Sequence, residues 1–168
     1  MFVRNPLKKI SLALALAVPC FPVYAGVEEG AKAIQKGQFE EAFSEWRPLA
    51  EKGESTVQAA IGVMYHAGQG VPQDYKKAFQ WYRRAAENGN AASQANLGVM
   101  YAKGVGVEEN LVQAYVWFDL AAMKGDAGYG RSRDRLAKLL NSEQLAQAKR
   151  VSREYATKYV TPFRKAGP

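Results

Sequence analysis

The chain has 168 residues, 23 of them Lys or Arg and 16 Asp or Glu, giving a formal net charge of +7, with a single cysteine and a single histidine. This length suits one domain with a usable core. One cysteine excludes a disulfide framework, and one histidine excludes the paired-histidine pattern of zinc proteases.

In chain order, Arg4, Lys8 and Lys9 precede a short apolar run, Ile10 to Val18. The run is too short to span a bilayer. Pro19 and Pro22 are expected to break the helix, and Val23-Tyr24-Ala25 offers small residues where a signal peptidase reads. Residues 1–25 are therefore expected to be a secretory signal cleaved after Ala25, which places the protein in the periplasm or outside the cell. A lipidated Cys20 is disfavoured because Pro19 stands where a small residue is required. The cleaved chain keeps 20 basic and 16 acidic residues, net +4, and no cysteine, so packing alone must hold it.

A short helix is expected over about Val27–Gln35, then a turn at Gly37 and a second helix over about Phe39–Glu51. Trp46 and Leu49 should face inward, and Pro48 should kink the helix. This pair forms a partial unit, because Ala42, Phe43, Ala50 and Gly53 lie 36 residues before Ala78, Phe79, Ala86 and Gly89.

Residues 55–90 and 91–126 then repeat one 36-residue unit without a gap. Such a period indicates a solenoid, in which each unit buries its apolar face against its neighbours. The first helix of the first copy is expected over Thr56–Ala67. Gly62 and Gly98 sit mid-helix, where glycine costs about 1 kcal/mol relative to alanine, so a close-packed partner is expected there. Gly68-x-Gly70 stops the helix, and Val71 folds back as an apolar plug. Asp74 and Asn110 are N-cap residues for second helices over Tyr75–Glu87 and Leu111–Met123. Ala78, Trp81, Tyr82 and Ala85, with Ala114, Trp117, Phe118 and Ala121, fall at i, i+3, i+4, i+7, the spacing of a buried stripe.

After the second copy the pattern changes. A helix is expected over Ala127–Leu140 with Leu136, Leu139 and Leu140 apolar. Asn141 and Gln144 form a capping box for a last helix ending near Tyr159. Its inner face should carry Leu145, Ala148, Ser152, Tyr155 and Tyr159, making it the polar-faced end cap a solenoid needs. Residues 161–168 are expected to be a disordered tail. The domain plan is thus 1–25 signal, 26–140 repeat solenoid, 141–168 capping helix and basic tail.

The block Gly62-Val-Met-Tyr65, Gly68-x-Gly70-Val71, then Ala78-x-x-Trp81-Tyr82-x-x-Ala85-Ala86 closed by Gly89, recurs at Gly98 to Gly125. It resembles the Sel1-like repeat, a relative of the tetratricopeptide repeat, and the end of the chain resembles small exported bacterial members. Ile61 stands where leucine is usual and Glu108 where proline often precedes the second helix. The resemblance implies an all-α solenoid of antiparallel helix pairs, one partial plus two full repeats and a C-terminal capping helix. It also implies an adaptor role; exported members are associated with envelope assembly, motility, exopolysaccharide secretion, signalling and host interaction. One cysteine-rich branch is linked to β-lactam hydrolysis, and its paired cysteines are missing here.

No catalytic, cofactor-binding or metal-ligating constellation emerges. His66 has no partner histidine one turn away, no phosphate loop with its lysine is present, and no serine is followed by lysine three residues on. The expected role is a non-catalytic, cofactor-free module that binds a peptide or partner protein. By analogy with tetratricopeptide repeats the first helices line the concave face. The groove then collects Thr56, Ala60, Val63 and His66 from one unit and Ala92, Asn96, Val99 and Lys103 from the next. Asn96 is suited to bond a peptide backbone and Lys103 a carboxylate. With two full units the groove is short, and pairing of two copies would extend it. A second reading uses the basic end, residues 131–168, with ten basic and three acidic side chains. There Arg131, Arg135, Lys149, Arg150, Arg153 and Lys158 would attract an anionic envelope polymer or lipid. Nucleic acid is a poor partner for an exported chain without an aromatic-interleaved binding strand.

Overall fold

The computed structural model describes residues 21–163. They form eight α-helices and no strand: α1 Phe21–Gln35, α2 Phe39–Glu51, α3 Ser55–Ala67, α4 Tyr75–Glu87, α5 Ala91–Lys103, α6 Leu111–Ala122, α7 Ala127–Ala137 and α8 Ser142–Tyr159. A 3-10 turn, Thr161–Phe163, follows. Each helix packs on the next from α1 to α7, and α8 folds back across α6 and reaches α4. This is the expected helical solenoid.

The helices start and stop where local chemistry dictates. The Asp74 carboxylate accepts from the Lys77 N–H and the Asn110 amide oxygen from the Gln113 N–H, each satisfying a free donor in a first turn. At α8 both halves of the Asn141–Gln144 capping box are present. The loops from α3 to α4 and from α5 to α6 are locked identically. Asp74 N donates to Tyr65 O and Asn110 N to Tyr101 O, both at 2.9 Å. The second loop glycine of each copy, Gly70 or Gly106, has a positive φ and lies with its backbone against the first residue of the preceding second helix, Phe39 or Tyr75. No side chain fits at that approach.

Packing follows the repeat. A Cβ on Gly62 would lie 2.6 Å from the Tyr82 ring, and one on Gly98 would lie 2.6 Å from the Phe118 ring. The mid-helix glycines are therefore seats for the aromatics of the second helices. Gln58 and Gln94 are buried, and each Nε2 donates to the last-turn carbonyl of the previous second helix, Ala50 O or Ala86 O. The amides thus stitch one unit to the next. Two apolar clusters result: one centred on Leu49, Ile61 and Met64, and a larger one centred on Leu97, Met100, Val116, Leu120 and Leu136.

Several expectations need correction. α1 starts at Phe21 rather than near Val27, and Pro22 lies in its first turn, where a missing N–H removes no helical bond. The expected cleavage point after Ala25 thus falls within a helix, and residues 1–20 of the expected signal lie outside the described residues. α2 keeps its expected bounds, Phe39–Glu51, with Pro48 inside the helix. α7 stops at Ala137, so Leu139 lies in a turn and is 67% exposed, whereas Leu136 is buried. Residues 161–163 are ordered: the Thr161 hydroxyl donates to Ala156 O, and the Phe163 ring lies against Gly89. Residues 164–168 lie outside the described residues.

Candidate functional site

The expected groove residues occupy the solvent side of α3 and α5. Thr56, Val63, His66, Ala92, Val99 and Lys103 are exposed, while Ala60 and Asn96 are half-buried. Their spacing explains this: the apolar stripe of each helix, with Val57, Ile61 and Met64 or Leu97 and Met100, turns inward and leaves the opposite side to solvent. Val63 and Val99 are equivalent positions, and they stay 44% and 38% exposed. The His66 ring meets the Tyr75 ring edge-on at 5.1 Å. α3 packs on α4 and α4 on α5, so the two rows belong to helices joined through α4.

The basic residues are divided. Arg131 and Arg135 lie exposed on α7, and Lys149, Arg150, Arg153 and Lys158 lie exposed on α8. Arg150 and Arg153 share a shallow depression with Glu143. Arg133, between the two exposed cations of α7, has a structural task. It pairs with Asp119 of α6 at 3.0 Å and with Asp134 at 2.8 Å. The Ser152 hydroxyl of α8 donates to the second Asp119 oxygen. One carboxylate therefore ties α6 to both terminal helices.

A pair of repeat-equivalent hollows was missed in the sequence. The first is a cavity of about 270 Å³ between α2, α3 and α4, walled by Arg47, Glu51, Tyr65, Lys77, Trp81 and Arg84. The second, of about 430 Å³, lies 36 residues further on, walled by Arg83, Glu87, Tyr101, Glu108, Glu109, Gln113 and Trp117 and, from α8, by Tyr155 and Tyr159. Their frames match. Phe43 meets Tyr65 edge-on at 5.6 Å, and Phe79 meets Tyr101 edge-on at 5.3 Å. Arg47 pairs with Glu51, and Arg83 with Glu87. The signal was available, since Tyr65/Tyr101 and Trp81/Trp117 match between copies. Helical spacing, however, assigns a tryptophan to the core without showing whether anything covers it.

Coverage is where the hollows differ. Trp117 is buried at 3% exposure because α8 lays Tyr155 and Tyr159 on it, at ring distances of 5.6 and 6.1 Å. Trp81, expected to be equally inward, is only half-buried. The Arg84 guanidinium lies over it, at 4.7 Å, and no aromatic ring of the described residues is stacked on it.

Comparison with known proteins agrees with this architecture. The Sel1 repeat family profile matches residues 55–90 and 91–126. A solved Sel1 repeat protein from Oxalobacter formigenes is 35% identical, with TM-score 0.63, over 67% of this chain and 88% of that one. The chain belongs to the Sel1 repeat family. The structure of c5321, described as a protective antigen of uropathogenic Escherichia coli with an SLR fold, superposes over 87% of this chain with TM-score 0.77 and 31% identity. An exopolysaccharide production negative regulator from Rhizobium leguminosarum bv. viciae is 40% identical over 77 residues, 39% of this chain. The chain spans 34% of the c5321 chain and 29% of the Rhizobium protein. Sel1 repeats generally mediate protein–protein interaction and are typically non-catalytic.

Proposed function

We propose that this protein is a non-catalytic adaptor of the bacterial cell envelope that docks a peptide or partner protein on the solvent sides of α3 and α5. The observation that carries the reading is the exposure of Val63 and Val99, a valine left in water at the same position of both copies. A repeated apolar contact flanked by Asn96, His66 and Lys103 suits a peptide that offers apolar side chains and a polar backbone. Export rests on residues 1–25 acting as a signal cleaved after Ala25, with the solenoid over 26–140 and the cap over 141–168. The name of the Rhizobium relative supports a role near exopolysaccharide control.

The test is crosslinked capture from an envelope fraction with the protein and with a Val63→Glu, Val99→Glu double variant. The expected result is a discrete protein retained by the first and lost by the second, with the helical circular dichroism of both alike. Equal capture by both removes this face from consideration.

A second reading has its own observation. Lys149, Arg150, Arg153 and Lys158 are exposed on α8, and none takes part in a described ion pair. An anionic polymer or lipid held there would detach steeply as salt rises, because exposed charge contacts are screened.

A further inference from the structure

The geometry points to the open hollow over Trp81 as a second docking site, taking an acidic helix that carries two aromatic side chains one turn apart. This goes beyond the face of α3 and α5 and uses different residues.

At Trp117 a helix of the chain itself, α8, covers the indole, and its Tyr155 and Tyr159 also wall the cavity of about 430 Å³ that stays open beside it. Tyr155 and Tyr159, four residues apart and so on one side of the helix, sit on the indole, with Tyr159 stacked at 21°. The α8 helix is basic on its outer side, with Lys149, Arg150, Arg153 and Lys158. The cavity beside it is acidic: Glu87, Glu108 and Glu109 stand against Arg83 on its wall. Aromatic seating therefore holds α8 there, and of its cations Lys158 lies near Glu87.

The hollow at Trp81 keeps the same frame and reverses the charge. Pro72 and Gln73 stand where the other copy has Glu108 and Glu109, and Lys77 stands where it has Gln113. The wall of this hollow is cationic in balance: Arg47 pairs with Glu51 and Lys77 with Asp74, and Arg84 has no described carboxylate partner. The floor is again an aromatic pair, Phe43 and Tyr65. Lys77 lies over the Tyr65 ring at 5.4 Å and Arg84 over Trp81. An entering aromatic ring would take the place of Arg84 on the indole, and the freed guanidinium would meet a carboxylate of the entering helix. The reversal also rejects α8 of a second copy, whose cations would meet three cations. The chemistry left is an acidic partner helix with aromatics at i and i+4.

The probe is a labelled peptide of residues 142–159 carrying Lys149→Glu, Arg150→Glu, Arg153→Glu and Lys158→Glu, with the unaltered basic peptide beside it. Binding to the full protein is read by fluorescence anisotropy. The acidic peptide is expected to bind, to weaken with salt, and to lose about tenfold or more in affinity against a Lys77→Glu, Arg84→Glu protein. Both substituted positions are exposed and outside the core, and matching helical circular dichroism of the two proteins checks that the variant is folded. The Val63→Glu, Val99→Glu protein should bind this peptide unchanged, which separates this site from the face proposed above. Three results would overturn the assignment: no binding of the acidic peptide, binding indifferent to Lys77→Glu, Arg84→Glu, or tighter binding of the basic peptide to the unaltered protein. The last would make a second copy's α8 the occupant.

Discussion

Gln58 and Gln94 occupy one position in two copies, yet only one of them is fully satisfied. Gln58 gives its N–H to Ala50 O and takes a 3.1 Å bond from the Asn88 amide. Gln94 gives its N–H to Ala86 O, but its buried oxygen has no described partner. The residue equivalent to Asn88 is Lys124, exposed at the end of α6. Lys124→Asn should supply the missing donor and raise stability by about 1 kcal/mol, read as a higher thermal midpoint. An unchanged or lower midpoint would show that Gln94 needs no such donor. Tyr82 gives a second expectation at this scale. Its burial against Gly62 pushes the phenol from 10.0 up to about 12. The unfolded chain loses this proton near pH 10 while the folded chain keeps it to about pH 12, so stability is intact below that window and falls across it. Tyr82→Phe has no proton to lose. Its stability should decline less between those two values in denaturant titrations at each pH, and parallel profiles would contradict the assignment.

Among the elements, α7 and α8 depart furthest from the repeat. Asp119 stands where the first copy has Arg83, and this one change converts an exposed pairing position into the tie between α6, α7 and α8. Asp119→Ala leaves the buried Ser152 hydroxyl without its acceptor and Arg133 with only Asp134. A loss of about 1–3 kcal/mol is expected in thermal or denaturant unfolding, together with a red-shifted emission as α8 loosens from Trp117. A native-like melt would mean that ring packing alone seats α8. The starts of α4, α6 and α8 agree with their caps, since Asp74, Asn110 and Asn141 act within one helical turn. The end of α7 does not follow from local pattern. Leu139 and Leu140 look like a continued stripe, but the chain turns at Lys138, leaving Leu139 in water and Leu140 against the core.

For the whole molecule, the two clusters set an uneven stability. The larger one runs from Ala78 in α4 to Val160 after α8 and is sealed by the end cap, whereas the smaller holds α1 to α3 together. In a linear stack each unit depends mainly on its neighbours. Amide hydrogen exchange should therefore be slowest in α5 and α6 and fastest in α1 and α2. Equal protection along the chain would show a single cooperative block instead. The repeat period, the stripes of α3 to α6, the glycine seats and the inner side of α8 were all legible in the amino-acid order, because each depends on periodicity or on contacts within one turn. The sequence by itself thus determined an all-α stack and most of the residues that point into it, Leu139 and the half-open Trp81 excepted. What covers each unit was left to the tertiary structure. Trp81 and Trp117 occupy equivalent positions of the repeat, although Gln80, Arg83 and Arg84 flank the first where Val116, Asp119 and Leu120 flank the second. Only the path of α8, brought back across α6 by Asp119 and two tyrosines, buries one indole and leaves the other half open, because burial is a property of what arrives from elsewhere in the chain.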